Sequence, residues 1–282
     1  MLPSPEQRRW IDDEPVVEQE LPKGDVTEGV VRVGDTVRRP HHERSFAIAH
    51  YLDHLEQAGF AGSPRYLGVD TAGRDVLTFL PGQVAAASPQ RSAASDELLV
   101  SIADLLLELH RAATGFDPDG RWFPRQPDEL GPTLVSHLDV TPQNVVVREG
   151  RAAGLIDFDL ARRATPYLEC RNTAVHWVPL VHPRDVYPEW HGIDQLARLR
   201  LFVDRFGLSA EQRESFVADE VTRADATWLR MKDRAETLGG GWRRMWDEGV
   251  GDKIRRRQAW LSANADQITT ALTDQAEPWS PA

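Results

Sequence analysis

The chain has 282 residues, 41% of them hydrophobic and 27% charged, which is enough apolar sequence for one large domain or two lobes. Its net charge of -11 argues against nucleic acids and anionic membrane surfaces as partners. Cys170 is the single cysteine, which excludes an internal disulfide and a multi-thiolate metal site. Because there is no long apolar run and no apolar segment near the N-terminus, we expect a soluble, cytoplasmic protein.

The first part of the chain has the pattern of a small sheet with one inserted helix. A Gly34-Asp35 turn between two β-branched runs predicts a hairpin, and Gly59 ends a helical pattern. The predicted elements are strands at 30–33 and 36–39, a helix at 43–58, and strands at 65–69 and 75–80. Pro81-Gly82 closes this block, so we expect an N-terminal lobe that spans residues 1–82.

Residues 83–282 are predicted to form a second, mainly helical lobe. Ser95 is a candidate N-cap for a long helix. The apolar residues of that helix recur with helical spacing at Leu98, Ile102, Leu105 and Leu109. Helical patterns separated by glycine-containing breaks occupy residues 183–272. The predicted fold class is therefore α+β, with a small antiparallel sheet lobe joined to a larger helical lobe.

The most informative stretch is a second predicted hairpin together with the loop that precedes it. Its strands, at 144–148 and 153–157, flank a glycine-containing turn. Asn144 and Asp157 lie about equally far from that turn on opposite strands, so we expect them side by side at the open end of the ribbon. Asp139 lies on the loop that enters the same end. Two carboxylates and an amide are therefore predicted to converge there.

Oxygen ligands of this kind suit Mg2+, which proteins usually hold with one or two carboxylates together with substrate phosphates. Asp157 is predicted to be the main ligand and Asn144 the second, which leaves Asp139 to accept or orient an attacking hydroxyl. His137 is predicted to fix the loop from beneath. Chance would place the H-x-D-x4-N spacing about 0.01 times in a chain of this composition. The alternative is a loop whose Asp and Asn only cap turns.

These residues resemble the motifs of a known family. The H-x-D-x4-N loop followed by Ile156-Asp157-Phe158-Asp159 is similar to the catalytic and metal motifs of the aminoglycoside phosphotransferase and choline kinase-like small-molecule kinases, which are relatives of the protein kinases. The resemblance extends to the strand pair at 30–40, the hinge-like segment 76–82 and the helical segment 105–113. It covers residues from about 20 to 180 and implies a bilobal protein-kinase-like fold.

The resemblance also implies a nucleotide site in the first lobe. The hinge is expected to hydrogen-bond the adenine through its backbone near Phe79 and Leu80. The strand lysine with which such kinases hold the nucleotide phosphates is missing. The matching position is Arg38 or Arg39, and alternation with Val37 favours Arg38 as the residue that faces the nucleotide.

Two further features of the nucleotide site depart from the family pattern. The glycine loop that would cover the phosphates is reduced, with Lys23 and Gly24 as its candidate contacts. The alternative for Lys23 is an ordinary exposed lysine in a turn. The predicted helix at 43–58 carries Glu43 at its start and Glu56 near its end, and neither falls at the expected position for the partner of the strand cation.

The resemblance assigns supporting roles to two more acidic residues. Asp159 replaces the glycine of the protein-kinase triplet, which implies a place beside the metal or a contact to it through water; a solvated or turn-capping Asp is the alternative. Glu169 falls where relatives often carry an Asp that braces the catalytic loop, and we expect it to brace that loop here.

The implied function is a kinase that uses Mg2+ to transfer the γ-phosphoryl group of ATP or GTP to a hydroxyl of a small metabolite or antibiotic-like acceptor. Antibiotic resistance is a known role of the family. Charge does not select the acceptor, because residues 1–160 carry 15 Lys and Arg against 26 Asp and Glu, whereas residues 161–282 carry 18 against 18. The alternative, motivated by the missing strand lysine, is a catalytically silent kinase-fold protein that binds nucleotide or another ligand.

Overall fold

The computed structural model describes residues 10–11, 17–21, 29–84, 94–118 and 133–274. Lys23 and Gly24 lie outside the described residues, so their predicted contacts to phosphate remain predictions. The chain divides into two compact units, one formed by residues 1–84 and 105–169 and the other by residues 85–104 and 170–282. The predicted boundary between lobes at residue 82 also remains a prediction.

The strands of the described residues are β1 (Trp10–Ile11), β2 (Gln19–Glu20), β3 (Val31–Val33), β4 (Thr36–Arg39), β5 (Tyr66–Asp70), β6 (Asp75–Thr78), β7 (Gln83–Val84), β8 (Leu134–Ser136), β9 (Val145–Arg148), β10 (Arg151–Leu155) and β11 (Arg162–Ala164). The α-helices are α1 (Ser45–Gln57), α2 (Asp96–Ala113), α3 (Pro166–Trp177), α4 (Gln195–Phe206), α5 (Ala210–Thr237), α6 (Gly240–Asp247), α7 (Val250–Ala263) and α8 (Ala265–Thr273).

The first unit contains a six-stranded sheet in the order β1-β5-β6-β4-β3-β2. β3 and β4 form the hairpin predicted from the Gly34-Asp35 turn, with Val33 opposite Thr36. The left-handed φ of 58° at Gly34 explains why glycine occupies that turn. β5 and β6 are likewise the two strands predicted at 65–69 and 75–80, and they pair in antiparallel fashion across the Thr71-Ala72-Gly73 turn.

Helix α1 buries a stripe at helical spacing that comprises Ile48, Tyr51, Leu52 and Leu55. Each of these large side chains contributes roughly 1.5–3 kcal/mol through removal of its apolar surface from water. The Tyr51 hydroxyl is buried with its ring and donates to the carbonyl of Val135, at 2.6 Å, so it remains satisfied. This hydrogen bond ties α1 to β8, the strand that leads into the predicted catalytic loop.

Two smaller sheets complete the first unit. β7, β9 and β10 form one of them, in the order β10-β9-β7, and β8 pairs with β11 in the other. Gly82 allows the close approach of β7 to β9, because a Cβ atom there would lie 2.5 Å from Val146 Cγ1. The sequence did not predict β7, β8 or β11, since strands of two or three residues are too short to show an alternating pattern.

The second unit is helical. Helix α5, with 28 residues, is about 42 Å long. It begins at a capping box in which Ser209 and Gln212 satisfy each other's backbone N–H groups. The predicted N-cap Ser95 is confirmed for α2, since its hydroxyl accepts from the N–H of Leu98 at 3.1 Å. None of the helices in the described ranges has the length and apolar character needed to cross a membrane.

A buried ionic cluster joins three helices of the second unit. Glu220 on α5 is fully buried and accepts from Arg223 Nε at 2.7 Å and from Arg223 Nη2 at 2.9 Å. Arg257 on α7 donates to the same carboxylate and also to the carbonyl of Leu180, at 3.0 Å. Arg171 on α3 adds a third guanidinium, 3.4 Å from Glu220 Oε1. Glu220 therefore neutralises charge at the point where α3, α5 and α7 meet.

We predict that Glu220→Gln lowers the free energy of unfolding by about 3–5 kcal/mol, because buried guanidinium groups would lose their counter-charge. Urea unfolding monitored by circular dichroism measures this loss. The control is Glu236→Gln on the same helix. Glu236 is exposed and lies 3.9 Å from Lys232, so its removal should change the free energy of unfolding by less than about 0.5 kcal/mol. Equal losses in both variants would contradict a structural role for the cluster.

Because the Glu220 carboxylate is buried among arginines, we expect part of the free energy of unfolding to depend on pH in the acid range. Burial alone would raise the pKa of Glu220, but the charges of Arg223 and Arg257 lower it from 4.5 to about 2. Because the pKa is lower in the folded than in the unfolded state, the stabilisation is complete above about pH 4.5 and is lost as the pH falls toward 2. The free energy of unfolding should therefore fall more steeply across this window in the native chain than in Glu220→Gln. Parallel curves would refute the assignment.

Candidate active site

The open end of the β9–β10 hairpin brings the predicted metal ligands to neighbouring positions. Leu155 pairs with Val145, and the N–H of Ile156 donates to the carbonyl of Asn144 at 2.9 Å. Asn144 is thus opposite Ile156, one residue from Asp157. The two-residue turn at Glu149-Gly150 pairs Arg148 with Arg151. A β-bulge between Ala152 and Gly154 then shifts the pairing by one residue, which places Asn144 opposite Ile156.

Asn144 also fixes the predicted base. Its amide nitrogen donates to Asp139 twice, to the backbone carbonyl at 2.9 Å and to the carboxylate Oδ2 at 2.8 Å. The amide plane therefore directs its nitrogen toward Asp139 and its oxygen, the atom that can bind a metal, away from it. One side chain holds the Asp139 carboxylate in place while offering an oxygen ligand on its other side.

His137 links the catalytic loop to the end of β10. Its Nε2 lies 2.9 Å from the carbonyl of Ile156, and the N–H of Asp139 donates to its Nδ1 at 3.2 Å. These two partners require the neutral tautomer that carries its proton on Nε2. Burial lowers the pKa of His137, which agrees with a neutral ring. These contacts join the loop to the end of β10, and the supporting role of His137 in the site remains a prediction.

Glu169 holds the backbone of the same loop. Its carboxylate is fully buried and accepts from two successive N–H groups, His137 at 2.9 Å and Leu138 at 2.7 Å. Leu138 has a left-handed φ of 60°, a conformation that costs a non-glycine residue roughly 1–2 kcal/mol. Burial alone would raise the pKa of Glu169, but the hydrogen bond and charge of His110 bring it below its usual value. The ionised carboxylate thus stabilises a strained turn next to Asp139.

The strand cation that reaches the site is Arg39, and the prediction that Arg38 faces it is wrong. Arg39 Nη2 lies 2.5 Å from both carboxylate oxygens of Asp159, and Arg39 Nη1 lies 3.9 Å from Asp157 Oδ1. Arg38 is buried on the opposite face of β4, with its Nε 3.8 Å from the buried carboxylate of Asp70. Alternation along the strand places Val37 and Arg39 on one face of β4 and Arg38 on the other. Because the buried carboxylate of Asp70 lies on the Arg38 face, Arg39 is the arginine that faces the site.

The carboxylate of Asp157 has an unsatisfied oxygen. Oδ1 is buried and accepts no hydrogen bond within the described part of the chain, although the side chain as a whole is 40% exposed. Burial raises the pKa of Asp157, the negative charge of Asp159 adds to this rise, and Arg39 opposes it. For Asp159, burial is outweighed by hydrogen bonds and charges of His42 and Arg39, which lower its pKa to about 2.

This donor set fits a divalent cation. Asp157 also adopts a left-handed φ of 62°, which turns its side chain at the end of β10. An orphaned buried carboxylate oxygen, a nearby amide oxygen and two carboxylates that share one guanidinium form an environment that favours added positive charge. No group of three or more His, Cys, Asp or Glu side chains in the described ranges has a metal-binding arrangement, so the assignment of Asp157 and Asn144 as ligands remains a prediction.

The predicted hinge residues follow β6. The N–H of Phe79 donates to the carbonyl of Asp35 at 2.8 Å, so the strand hairpin already uses this donor. The Arg32 guanidinium stacks 3.7 Å from the centre of the Phe79 ring and covers one face of it. Backbone contacts to a base would therefore involve the carbonyl of Phe79 or the peptide groups of Leu80.

Sequence reasoning missed one contributor to the site and the helix that carries another. Glu169 was predicted to brace the loop, but helix α3, on which it lies, was not predicted, because its buried polar residues, among them Thr173, obscure any helical apolar stripe. His42 lies 2.9 Å from Arg39 and 3.5 Å from Asp159, and the sequence offered only its proximity to Arg39 as a signal.

A strand cation, an H-x-D-x4-N loop and an aspartate at a strand end define a protein of the kinase fold. A family model described as the phosphotransferase enzyme family matches residues 23–131 and 120–202, and the chain belongs to this family. The chain is also 31% identical over 206 residues to the trifolitoxin immunity protein of Rhizobium leguminosarum bv. trifolii, which covers 69% of this chain and 76% of that protein. The predicted family is thereby confirmed.

Solved structures of low sequence identity share the fold. The choline kinase of Cryptosporidium parvum Iowa II superposes with a TM-score of 0.55 at 8% identity, over 92% of each chain. The ADP-bound aminoglycoside phosphotransferase APH(2'')-Ib gives a TM-score of 0.54 at 12% identity, over 92% of this chain and 94% of that one. These similarities confirm the predicted α+β, protein-kinase-like fold.

We predict that Glu169→Gln destabilises the catalytic loop. A neutral amide can accept from only one of the two N–H groups and presents a donor to the other, which should cost about 1–3 kcal/mol in the free energy of unfolding. Urea unfolding measures the loss, and hydrogen exchange should show faster exchange at the amides of His137 and Leu138. Glu108→Gln, an exposed change on α2 in the same unit, is the control. Unchanged exchange at Leu138 would exclude the bracing role.

Proposed function

We propose that this member of the phosphotransferase family is a small-molecule kinase. It transfers the γ-phosphoryl group of ATP or GTP to a hydroxyl of an antibiotic-like or metabolite acceptor in the cytoplasm. The observation that carries the proposal is the arrangement at the open end of the β9–β10 hairpin. There Asn144 holds the Asp139 carboxylate, and a buried oxygen of Asp157 lacks a hydrogen-bond partner among the residues that the structure describes.

Asp139 acts as the base. Its Oδ2 is held by the Asn144 amide at 2.8 Å, which sets the orientation of the carboxylate. The other oxygen, Oδ1, accepts the proton of the acceptor hydroxyl. A bond forms between the acceptor oxygen and the γ-phosphorus as the bond from that phosphorus to the β–γ bridging oxygen breaks, so the nucleoside diphosphate leaves with that oxygen.

Asp157 and Asn144 are the residues that would hold Mg2+. When bound, the metal supplies positive charge that neutralises the phosphate oxygens. Asp157 contributes the oxygen that no donor in the described ranges satisfies, and Asn144 contributes its amide oxygen. Arg39 replaces the strand lysine as the side-chain contact to the phosphates, since its planar guanidinium matches phosphate geometry. Phe79 and Leu80 would contact the base through their backbone.

The names of the relatives support a class of acceptor. One relative is named for immunity to trifolitoxin, and a structural neighbour is named as an aminoglycoside phosphotransferase. These names support a toxin or antibiotic as the acceptor, and hence a role in resistance. A choline kinase among the neighbours keeps small alcohols in the set to be screened.

We predict distinct losses in two variants. Asp157→Ala should abolish the Mg2+-dependent part of nucleotide binding, and Asp139→Asn should leave nucleotide binding intact but lower turnover by a factor of about 10²–10⁴, the usual contribution of a general base. Calorimetric titration of ATP and GTP, with and without Mg2+, measures binding. Release of nucleoside diphosphate, first with water and then with a panel of toxins, aminoglycosides, macrolides and choline, measures turnover.

The control is Glu108→Ala, which removes an exposed carboxylate from the same unit and should change neither quantity. Native binding without turnover for any acceptor would favour the catalytically silent alternative. Unchanged turnover in both Asp139→Asn and Asp157→Ala would rule out the proposed roles.

A further inference from the structure

Arg39 finds its acidic partners outside helix α1. In kinases of this fold a glutamate of the helix after the strand cation usually holds that cation. Here the first turn of α1 contains no acidic residue, and Glu56 in its last turn lies 3.4 Å from Arg65. The carboxylates nearest to Arg39 are Asp159 and Asp157, both from the segment that follows β10, and the charge of Asp75 on β6 also attracts it.

The contact to Asp159 restricts one end of the guanidinium. Arg39 Nη2 lies 2.5 Å from both oxygens of Asp159 and 2.9 Å from His42 Nε2, so this nitrogen is fully occupied. Arg39 Nη1 is 3.9 Å from the nearest oxygen of Asp157, beyond hydrogen-bond distance. Arg39 Nε is buried and has no hydrogen-bond partner within the described residues. The contact to Asp159 therefore orients the N–H groups of Nη1 and Nε, which make no hydrogen bond to the described residues.

We propose that Asp159 is a positioning residue that holds the Arg39 guanidinium for the nucleotide phosphates and so replaces the glutamate of the helix; this rests on the proposed function. A buried arginine with rotatable bonds would otherwise have several orientations, and an anchored one loses less entropy on binding phosphate. Asp157 and Asp159 are two residues apart. The same short segment therefore positions both the Arg39 guanidinium, through Asp159, and the carboxylate of Asp157.

A positioning role and a metal-ligand role for Asp159 predict different nucleotide affinities when Asp159 and Arg39 are substituted together. If Asp159 acts through Arg39, the effects of Asp159→Asn and Arg39→Gln on nucleotide affinity must be coupled. If Asp159 instead binds the metal through water, Asp159→Asn weakens Mg2+-dependent binding whether or not Arg39 is present. If Asp159 only adds negative charge near the phosphates, its removal tightens binding.

The test is a double-variant cycle of Arg39→Gln and Asp159→Asn, read by calorimetric titration of ATP with Mg2+. We expect each single variant to weaken binding about tenfold, within the range that coupled neighbouring charges show, and the double variant to be no weaker than Arg39→Gln alone. Asp159→Glu keeps the charge and should restore part of the affinity. Thermal melting without nucleotide verifies that each variant folds.

Arg163 and Asp117 provide the matched control, since they form an exposed pair at 2.9 Å in the same unit. Arg163→Gln and Asp117→Asn should leave the affinity unchanged. Additive effects of Arg39→Gln and Asp159→Asn, or tighter binding in Asp159→Asn, would overturn the positioning role while leaving the kinase proposal intact. Failure of the native chain to bind either ATP or GTP would overturn both the positioning role and the kinase proposal. The native chain alone shows this result, so it is not confused with an effect of the substitutions.

Discussion

The site depends on one buried carboxylate. Glu169 accepts from the N–H groups of two successive residues and thereby holds Leu138 in a left-handed conformation that a leucine does not adopt alone. Because Asp139 directly follows Leu138, the conformation of that turn sets the position of Asp139 in the loop. His137 then joins the loop to the backbone of Ile156, next to Asp157. Strain at Leu138 is thus offset by charge-assisted hydrogen bonds, which are stronger than neutral ones.

A single guanidinium organises the charges on the other side of the site. Asp157 and Asp159 bring two negative charges close together, and Arg39 compensates only part of them. The compensation is unequal, because Arg39 bridges both oxygens of Asp159 but stays 3.9 Å from Asp157. One carboxylate is therefore held firmly ionised, with a pKa of about 2, while the pKa of the other rises in its buried position. A cation added near Asp157 would relieve that imbalance.

The sequence predicted the parts of the fold that local chemistry controls. The two hairpins follow from their glycine turns, and counting residues back from Gly150 places Asn144 near Asp157. The β-bulge between Ala152 and Gly154 that completes this register was not predicted. The error at Arg38 has a different origin. Strand alternation separates Arg38 from Arg39 but does not say which face is polar, and the answer depends on Asp70, a buried acid from another strand. Contacts between residues far apart in the chain, including Arg39 with Asp159, leave no local pattern to read.

The buried carboxylates separate into two kinds by how fully they are satisfied. Glu220 and Glu169 each accept several hydrogen bonds, from guanidinium groups in one case and from backbone N–H groups in the other. Such groups fix structure, since every buried oxygen has a donor. Asp157 differs because its Oδ1 is buried with none among the described residues. An unsatisfied buried oxygen costs free energy and needs a compensating purpose. A ligand that brings its own positive charge is the simplest one, so the buried oxygen of Asp157 supports the proposed metal site independently of any relative.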